Sequence, residues 1–180
     1  MNLKNYSSVG NNIDEKNKHF YYAQKAKVGI VEIGVLNGET TEIFCKANKD
    51  VSITGIDPII PDSMNANLIG SEDKIKQLEK QYPNFSFIKD YSFNVAKYWE
   101  KSIDYLFIDG DHTYEAVKQD FDSWFPFVAK DGIIVLHDSA CNRGGPHFWS
   151  GPSKLADELI QDSRLEYLET IYTMTVFKKN

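Results

Sequence analysis

Residues 28–38 read VGIVEIGVLNG, an apolar run followed by a turn that carries two glycines. The run Val28–Gly34 is rich in β-branched residues, which favour a buried strand. Gly34 and Gly38 then permit backbone conformations that other residues avoid. A buried strand that leads through glycines into a helix brings main-chain N–H groups close to a ligand. This stretch therefore predicts the first strand of an α/β sheet, with a binding site at its carboxyl end.

Four further apolar runs follow, and they alternate with segments of helical period. The runs are Val51–Asp57, Phe85–Asp90, Ile103–Asp109 and Gly132–Asp138, and the predicted helices are Thr40–Asn48, Ser71–Gln81 and Thr113–Val128. Strands that alternate with helices predict βαβ units, in which the strands run parallel. The predicted fold class is a doubly wound, Rossmann-like α/β sheet that is mostly parallel.

The C-terminal part of the chain shows a different pattern. A short helix is predicted to begin near Pro152, because proline is favoured in the first turn of a helix. Two strand-like runs, Leu165–Glu169 and Ile171–Phe177, lie close enough in sequence to pair as an antiparallel hairpin. Before the first strand the sequence predicts only a turn or two of helix. Residues 1–180 are therefore expected to form a single domain.

Composition excludes several classes of partner. The net charge of −6 gives no electrostatic reason to expect nucleic acid, whose phosphates attract clustered Lys and Arg. The polar segment Met1–Asp14 lacks the pattern of a signal peptide or a membrane span, so we expect a cytoplasmic protein without a membrane partner. Cys45 and Cys141 are too few for a disulfide framework.

An acidic residue stands at or near the end of every predicted parallel strand. These residues are Glu32, Asp57, Asp90, Asp109 and Asp138. The carboxyl ends of parallel strands meet at one edge of a sheet, where open α/β folds bind their ligands. A single acid there is often only a turn or cap residue, but five at one edge predict a binding site.

The spacing of the glycines distinguishes two cofactor classes. A dinucleotide fingerprint has glycines two and five residues after the first, where this chain has Leu36 and Glu39. A nicotinamide cofactor is therefore disfavoured. Asp57, after the second predicted strand, can accept hydrogen bonds from the two ribose hydroxyls of an adenosine.

The most specific stretch is FIDGDHTYE at residues 107–115, followed by Asp120, WFP at 124–126, Asp131-Gly132 and VLHD at 135–138. Together with VEIG at 31–34, it resembles class I S-adenosylmethionine-dependent methyltransferases of the Methyltransf_24 type. Their relatives include macrocin-type sugar O-methyltransferases and cephalosporin-hydroxylase-like proteins. The resemblance covers roughly Val28–Ile160. It implies S-adenosyl-L-methionine as cofactor, with Glu32, Gly34, Gly38, Asp57, Asp90, Ser92 and Asp109 as the binding residues.

The resemblance also implies methyl transfer to a hydroxyl of a small molecule or sugar. The predicted catalytic residues are Asp109 and His112. His112 follows Asp109 by three residues at the mouth of the predicted site. A side chain that titrates near neutrality is suited to take the hydroxyl proton, so His112 is the predicted base. A structural role stays open, in which the ring only bonds Asp109 or the cofactor.

A divalent cation is a further expectation from the resemblance. Sugar and catechol O-methyltransferases bind one through acids after the fourth and fifth strands, and the matching positions here are Asp109, His137 and Asp138. Mg²⁺ or Mn²⁺ would lower the pKa of the hydroxyl and fix its position. His137 stands where the sugar enzymes commonly have an acid, so both ligation and a supporting role remain open for it.

The acceptor, a small molecule, is expected to be held by His19–Tyr22, Pro58–Gly70 and Ser139–Gly151, because no separate recognition domain is predicted. The sequence is compatible with a homo-oligomer. Two other functions stay open at this point: an S-adenosylmethionine-binding protein without transferase activity, and a metal-dependent, cephalosporin-hydroxylase-like enzyme.

Overall fold

The computed structural model describes residues 13–63, 65–67, 69–145 and 149–180. Its strands are β1 (Gly29–Ile33), β2 (Ser52–Ile56), β3 (Phe85–Ile88), β4 (Ile103–Ile108), β5 (Val128–Leu136), β6 (Leu165–Ile171) and β7 (Met174–Lys179). Its α-helices are α1 (Ile13–Lys25), α2 (Glu39–Ala47), α3 (Glu72–Gln81), α4 (Ser92–Val95), α5 (Tyr114–Trp124) and α6 (Ser150–Leu159). None of the helices in these ranges is long and apolar enough to cross a membrane.

The strands form a sheet in the order β3-β2-β1-β4-β5-β7-β6. Strands β1 to β5 are parallel, whereas β7 pairs antiparallel with both β5 and β6. The chain winds from β1 towards β3 in one direction and then from β4 outwards in the other. The reversal of strand order therefore lies between β1 and β4. The predicted fold class is confirmed, including the C-terminal hairpin.

Helices cover both faces of the sheet, which explains why its central strands read as continuous apolar runs. In β4, Leu106 and Ile108 pack on one face with α5 and α6. Tyr105 and Phe107 point to the other face and pack with α1, α2 and α3. The period of two residues thus divides one apolar strand between two cores.

Helix α1 is longer than the turn or two of helix that the sequence predicts. Its buried residues are Glu15, His19, Tyr22 and Ala23, which share one face of the helix. Three of them carry polar groups, so a search for apolar residues at helical period does not detect this face. The helix is fixed by hydrogen bonds between polar groups that lie far apart in sequence, as described below.

The end of α5 also differs from the prediction of a helix through Val128. The α-helix ends at Trp124, a 3₁₀ turn follows over Phe125–Phe127, and β5 already begins at Val128. Pro126 lacks the N–H that would continue the α-helix. The side chain of Lys179 donates to the carbonyl oxygens of Phe125 and Val128, which ties this turn to β7.

The C-terminal hairpin turns at Tyr172 and Thr173, two residues later than predicted, so Ile171 belongs to β6. Tyr172 adopts a φ of 50° in this turn. Since β7 runs antiparallel to β5, the turn lies beside the carboxyl end of β5, where Leu136 pairs with Thr175. The hairpin thereby places Thr173 next to the predicted ligand-binding edge.

Gly34 lets the turns that follow β1 and β4 touch each other. Its φ is 83°, and a Cβ atom at this position would overlap the carbonyl oxygen of Asp109. The amide of Gly34 donates to Ile56 and the amide of Asp109 donates to Ile33, so the contact continues the sheet hydrogen bonds. Only glycine provides both the left-handed conformation and the space.

Gly34→Ala should therefore destabilise the protein far more than Gly144→Ala does. Gly144 has a similar φ of 87°, but a Cβ there would meet no atom within 4 Å. Both variants carry the left-handed strain of about 1–2 kcal/mol. Only Gly34→Ala adds a backbone collision, which puts its loss in the exceptional range above ~4 kcal/mol. Urea unfolding of both variants gives the comparison, and equal losses would contradict the close approach.

Candidate active site

A cavity of about 480 Å³ opens at the carboxyl ends of the parallel strands, where the strand order reverses. Its described lining comes from the turns after β1, β2, β3 and β4, from α5, and from Asp138 and Trp149. This is the place at which open α/β sheets bind ligands, and the volume is typical of a small-molecule site.

Asp57 holds the glycine turn in place and borders the cavity. Its Oδ2 accepts hydrogen bonds from the amides of Val35 and Leu36, at 2.9 and 3.0 Å. Its Oδ1 accepts from the amide of Ile59 at 2.7 Å. A carboxylate has about four acceptor positions, so Asp57 can receive further donors from a ligand.

Glu32 lies at the bottom of the cavity and is almost completely buried. Thr41 donates its hydroxyl to Glu32 Oε2 at 2.5 Å. Burial raises the pKa of Glu32 well above its usual value, and the charges of Asp109 and Asp57 add to this effect. A cationic ligand above these three acids would favour their charged forms.

Two of the predicted cofactor residues do not line the cavity. Gly38 begins α2 with a φ of 78°, and its Cα faces Leu78 of α3. The carboxylate of Asp90 accepts from the amide of Tyr91 and from the Asn94 side chain, at 2.7 and 3.0 Å. By contrast, Glu32, Gly34, Asp57, Ser92 and Asp109 all contribute to the lining.

His112 lies between carboxylates on both sides of its ring. Nδ1 is 2.9 Å from Asp62 Oδ2, while Nε2 is 3.3 Å from Asp138 Oδ2 and 3.9 Å from Asp109 Oδ1. Trp149 stacks on the ring, with centroids 4.3 Å apart. Burial disfavours the imidazolium, but the hydrogen bonds and charges of these acids outweigh it and raise the pKa of His112 to about 9.

His137 connects the cavity to the N-terminal helix. Its Nδ1 is 2.9 Å from Asp109 Oδ1 and 3.5 Å from Asp138 Oδ1. Its Nε2 is 2.8 Å from the hydroxyl of Thr173, which donates its own proton to Glu15. Because that hydroxyl proton is used, Nε2 must be the donor of its contact, and Nδ1 is the nitrogen that faces the two aspartates.

The three predicted metal-binding residues come together as a cluster. Asp109, His137 and Asp138 each offer one ligand atom, and these atoms lie within 4.8 Å of one another. The outer nitrogen of His137 is held by Thr173 and Glu15, as is usual for a metal-binding histidine. The donor set, two carboxylates and an imidazole, fits Mn²⁺, Fe²⁺ or Zn²⁺ better than Mg²⁺.

The segments expected to hold the acceptor contribute unequally to the cavity lining. His19–Tyr22 does not line the cavity, since His19 is buried and bonds the hydroxyl of Tyr105 instead. The Pro58–Gly70 loop contributes several residues, including Asp62. Of Ser139–Gly151, Trp149 lines the cavity, while residues 146–148 lie outside the described part.

Sequence reasoning did not assign a role to Glu15, Asp62, Asp120 or Thr173. Glu15 and Thr173 lie 158 residues apart, and no local pattern links them. Asp120 belongs to the motif that carries the family resemblance, and Asp62 lies in a segment expected to hold the acceptor. Their positions in the sequence were therefore the only indication that they line the site.

Comparison with known proteins decides the family. The model of the Methyltransf_24 family, described as a methyltransferase domain, matches residues 31–139. The chain belongs to this methyltransferase family. The matched segment contains the glycine turn, Asp57, His112 and the cluster of Asp109, His137 and Asp138.

Individual relatives are more distant. An uncharacterised protein of Acanthamoeba polyphaga mimivirus is 29% identical over 145 residues, which cover 76% of this chain and 62% of the relative. The chain thus spans less than two thirds of that relative's length.

Among solved structures, the S-adenosylhomocysteine-bound methyltransferase PaMTH1 of Podospora anserina has a TM-score of 0.66 at 17% identity, over 92% of this chain and 78% of the other. The O-methyltransferase TomG of Streptomyces achromogenes, in complex with S-adenosylmethionine, has a TM-score of 0.65 at 14% identity, over 92% and 79%. These structural similarities show that the chain shares the fold of these proteins.

Asp120 of this methyltransferase domain is a buried acid in the cavity wall. Ser92 donates its hydroxyl to Asp120 Oδ1. Burial raises the pKa of Asp120 to about 7, and the charge of Asp111 adds to this rise while the Ser92 hydrogen bond opposes it. Folded protein therefore retains the Asp120 proton to higher pH than unfolded protein does.

This retained proton predicts a pH-dependent stability that Asp120→Asn removes. From the usual value of 3.8 up to about 7, the unfolded chain has released the proton and the folded chain has not. The free energy of unfolding contributed by Asp120 therefore falls as pH rises through this window. Urea unfolding at about pH 5 and about pH 8 should show Asp120→Asn gaining stability relative to wild type at the higher pH. A pH-independent difference between the two proteins would refute this.

Proposed function

We propose that the protein is an S-adenosylmethionine-dependent O-methyltransferase that acts on a hydroxyl of a small molecule or sugar. The observation that carries this proposal is that one cavity contains two features. The glycine turn at Gly34, held by Asp57, lies on one side, and His112 lies among carboxylates on the other. Membership of a methyltransferase family supports it, as do structural neighbours that bind the cofactor or its product.

The residues present fit the cofactor. The contact between Gly34 and Asp109 leaves main chain, without a side chain, at the floor of the site. Asp57 offers acceptors to ribose hydroxyls. Glu32, Asp57 and Asp109 supply negative charge for a ligand that carries a sulfonium and an ammonium group.

The bound cofactor would supply an electrophilic methyl group to the acceptor oxygen. The protein's part is to align the acceptor hydroxyl and to receive its proton. Asp62 fixes His112 through Nδ1, so that Nε2 faces Asp109 and Asp138 at the cavity. Since these acids keep His112 protonated in the free protein, a base role requires that their charge be offset first.

A divalent cation is the group that would offset this charge. Asp109, Asp138 and Nδ1 of His137 would hold it, while Thr173 and Glu15 would orient His137 from behind. Bound there, the cation would lower the pKa of the acceptor hydroxyl and fix its position.

We expect S-adenosylhomocysteine to bind and stabilise the wild-type protein more than NADH does. Asp57→Ala should weaken this binding by about 1.5–3 kcal/mol, through lost hydrogen bonds to a charged acceptor. Glu39→Gln is the matched control, because Glu39 also lines the cavity but is exposed and bonds no turn amide. Titration calorimetry and thermal unfolding give both quantities. Unaltered affinity of Asp57→Ala would place the cofactor elsewhere, and stronger stabilisation by NADH would favour an oxidoreductase.

The cation proposal is tested by titrating Mg²⁺ and Mn²⁺ in the presence of S-adenosylhomocysteine. Wild type should bind Mn²⁺, and Asp138→Asn should bind it at least about tenfold more weakly. Thr173→Val should also weaken binding, since it removes the partner of His137 Nε2. Asp111→Asn removes a charge from the same cavity outside the ligand cluster and serves as control. An absence of ion binding to wild type would place the enzyme among metal-independent methyltransferases.

A further inference from the structure

Asp120 has one carboxylate oxygen that no residue in the described part of the chain uses. Ser92 donates to Oδ1, and within the described ranges no donor is hydrogen-bonded to Oδ2. Oδ2 lies beside Gly110, since a Cβ on that glycine would come within 3.1 Å of it. Because Asp120 lines the cavity, this oxygen is available for a donor supplied by a ligand.

Flat aromatic side chains border the same part of the cavity. Tyr91 and Phe93, which flank Ser92, stack on each other with centroids 5.2 Å apart and planes at 28°. Aromatic faces of this kind favour contact with a planar ring. A planar ring with an N–H group at its edge could pack against these aromatic side chains and donate a hydrogen bond to Asp120 Oδ2.

The strand order separates this region from the reaction centre. Tyr91, Ser92 and Phe93 follow β3, whereas Asp138 follows β5, and β2, β1 and β4 lie between these two strands. Asp57, the ribose-facing acid of the proposed function, follows β2, next to β3. A cofactor that lay along Asp57 with its methyl group near Asp138 would have its nucleobase near Ser92 and Asp120.

We propose that Asp120 recognises the 6-amino group of adenine, with Oδ2 as the acceptor, and that Ser92 is the positioning residue for the carboxylate. The inference rests on the proposed function, because it takes the cofactor from there. It assigns to Asp120 the selectivity of the site for adenine over purines that lack the amine.

The test is a thermodynamic cycle between protein and ligand. The probes are S-adenosylhomocysteine and its analogue in which hydrogen replaces the 6-amino group, and calorimetry measures both dissociation constants. At about pH 8, above the pKa of about 7 at which the Asp120 carboxyl ionises, wild type should bind the amino form about tenfold or more tightly, because the amine then bonds a charged acceptor. Asp120→Ala should bind both probes equally. Asp120→Asn keeps one oxygen acceptor and should retain a smaller preference.

Asp111→Ala is the matched control, because Asp111 lines the same cavity but bonds the amides of Ser63 and Thr113. It should preserve the wild-type preference between the probes. Equal weakening of both probes by Asp120→Ala would overturn the inference and leave Asp120 a supporting role in the pocket wall. Equal affinity of the wild type for the two probes would also overturn the inference. If wild type binds neither probe, the proposed function itself fails, which is a separate and recognisable outcome.

Discussion

The contact between Gly34 and the carbonyl of Asp109 is the constraint on which the site depends. It joins the turns after the two central strands, β1 and β4, from which the crossover connections leave in opposite directions. Without a side chain at Gly34, the main chain forms the floor of the cavity, and Glu32, Asp57 and Asp109 come close enough to influence one another's charge. Glu32 and Asp109 border one cavity because this contact holds the turns after β1 and β4 against each other.

Charge is the second organising feature of the cavity. Its described lining contains eight acidic side chains and no lysine or arginine. Burial raises the pKa of Glu32 and Asp120, and the charges of neighbouring acids add to this effect. His112 and His137 lie among the remaining carboxylates, which raise the pKa of both imidazoles. Such a surface favours cationic ligands, and both a sulfonium cofactor and a divalent cation are cations. The same arrangement costs stability in the absence of ligand, as is common at functional sites.

Helix α1 links the fold to the chemistry through a chain of polar contacts. Glu15 accepts from Thr173 in the hairpin turn, Thr173 accepts from His137, and His137 meets Asp109 in the cavity. Each member is held by an element distant in sequence, so the orientation of His137 depends on the docking of both α1 and the β6–β7 hairpin. A change in packing far from the cavity can thereby alter the geometry of the cluster formed by Asp109, His137 and Asp138.

The sequence by itself determined the strands, the parallel order of their βαβ units and the acids at their ends. These features follow from local composition, because β-branched runs, glycine turns and helical periodicity are each encoded over a few residues. It also identified Asp109, His112, His137 and Asp138 as neighbours, since they follow the ends of two adjacent strands. Only the tertiary structure decided that Asp90 turns to Asn94, that Gly38 faces Leu78, and that α1 buries a polar face. The direction of a side chain beyond a strand depends on the turn dihedrals, and a buried polar group requires a partner that lies tens of residues away in sequence.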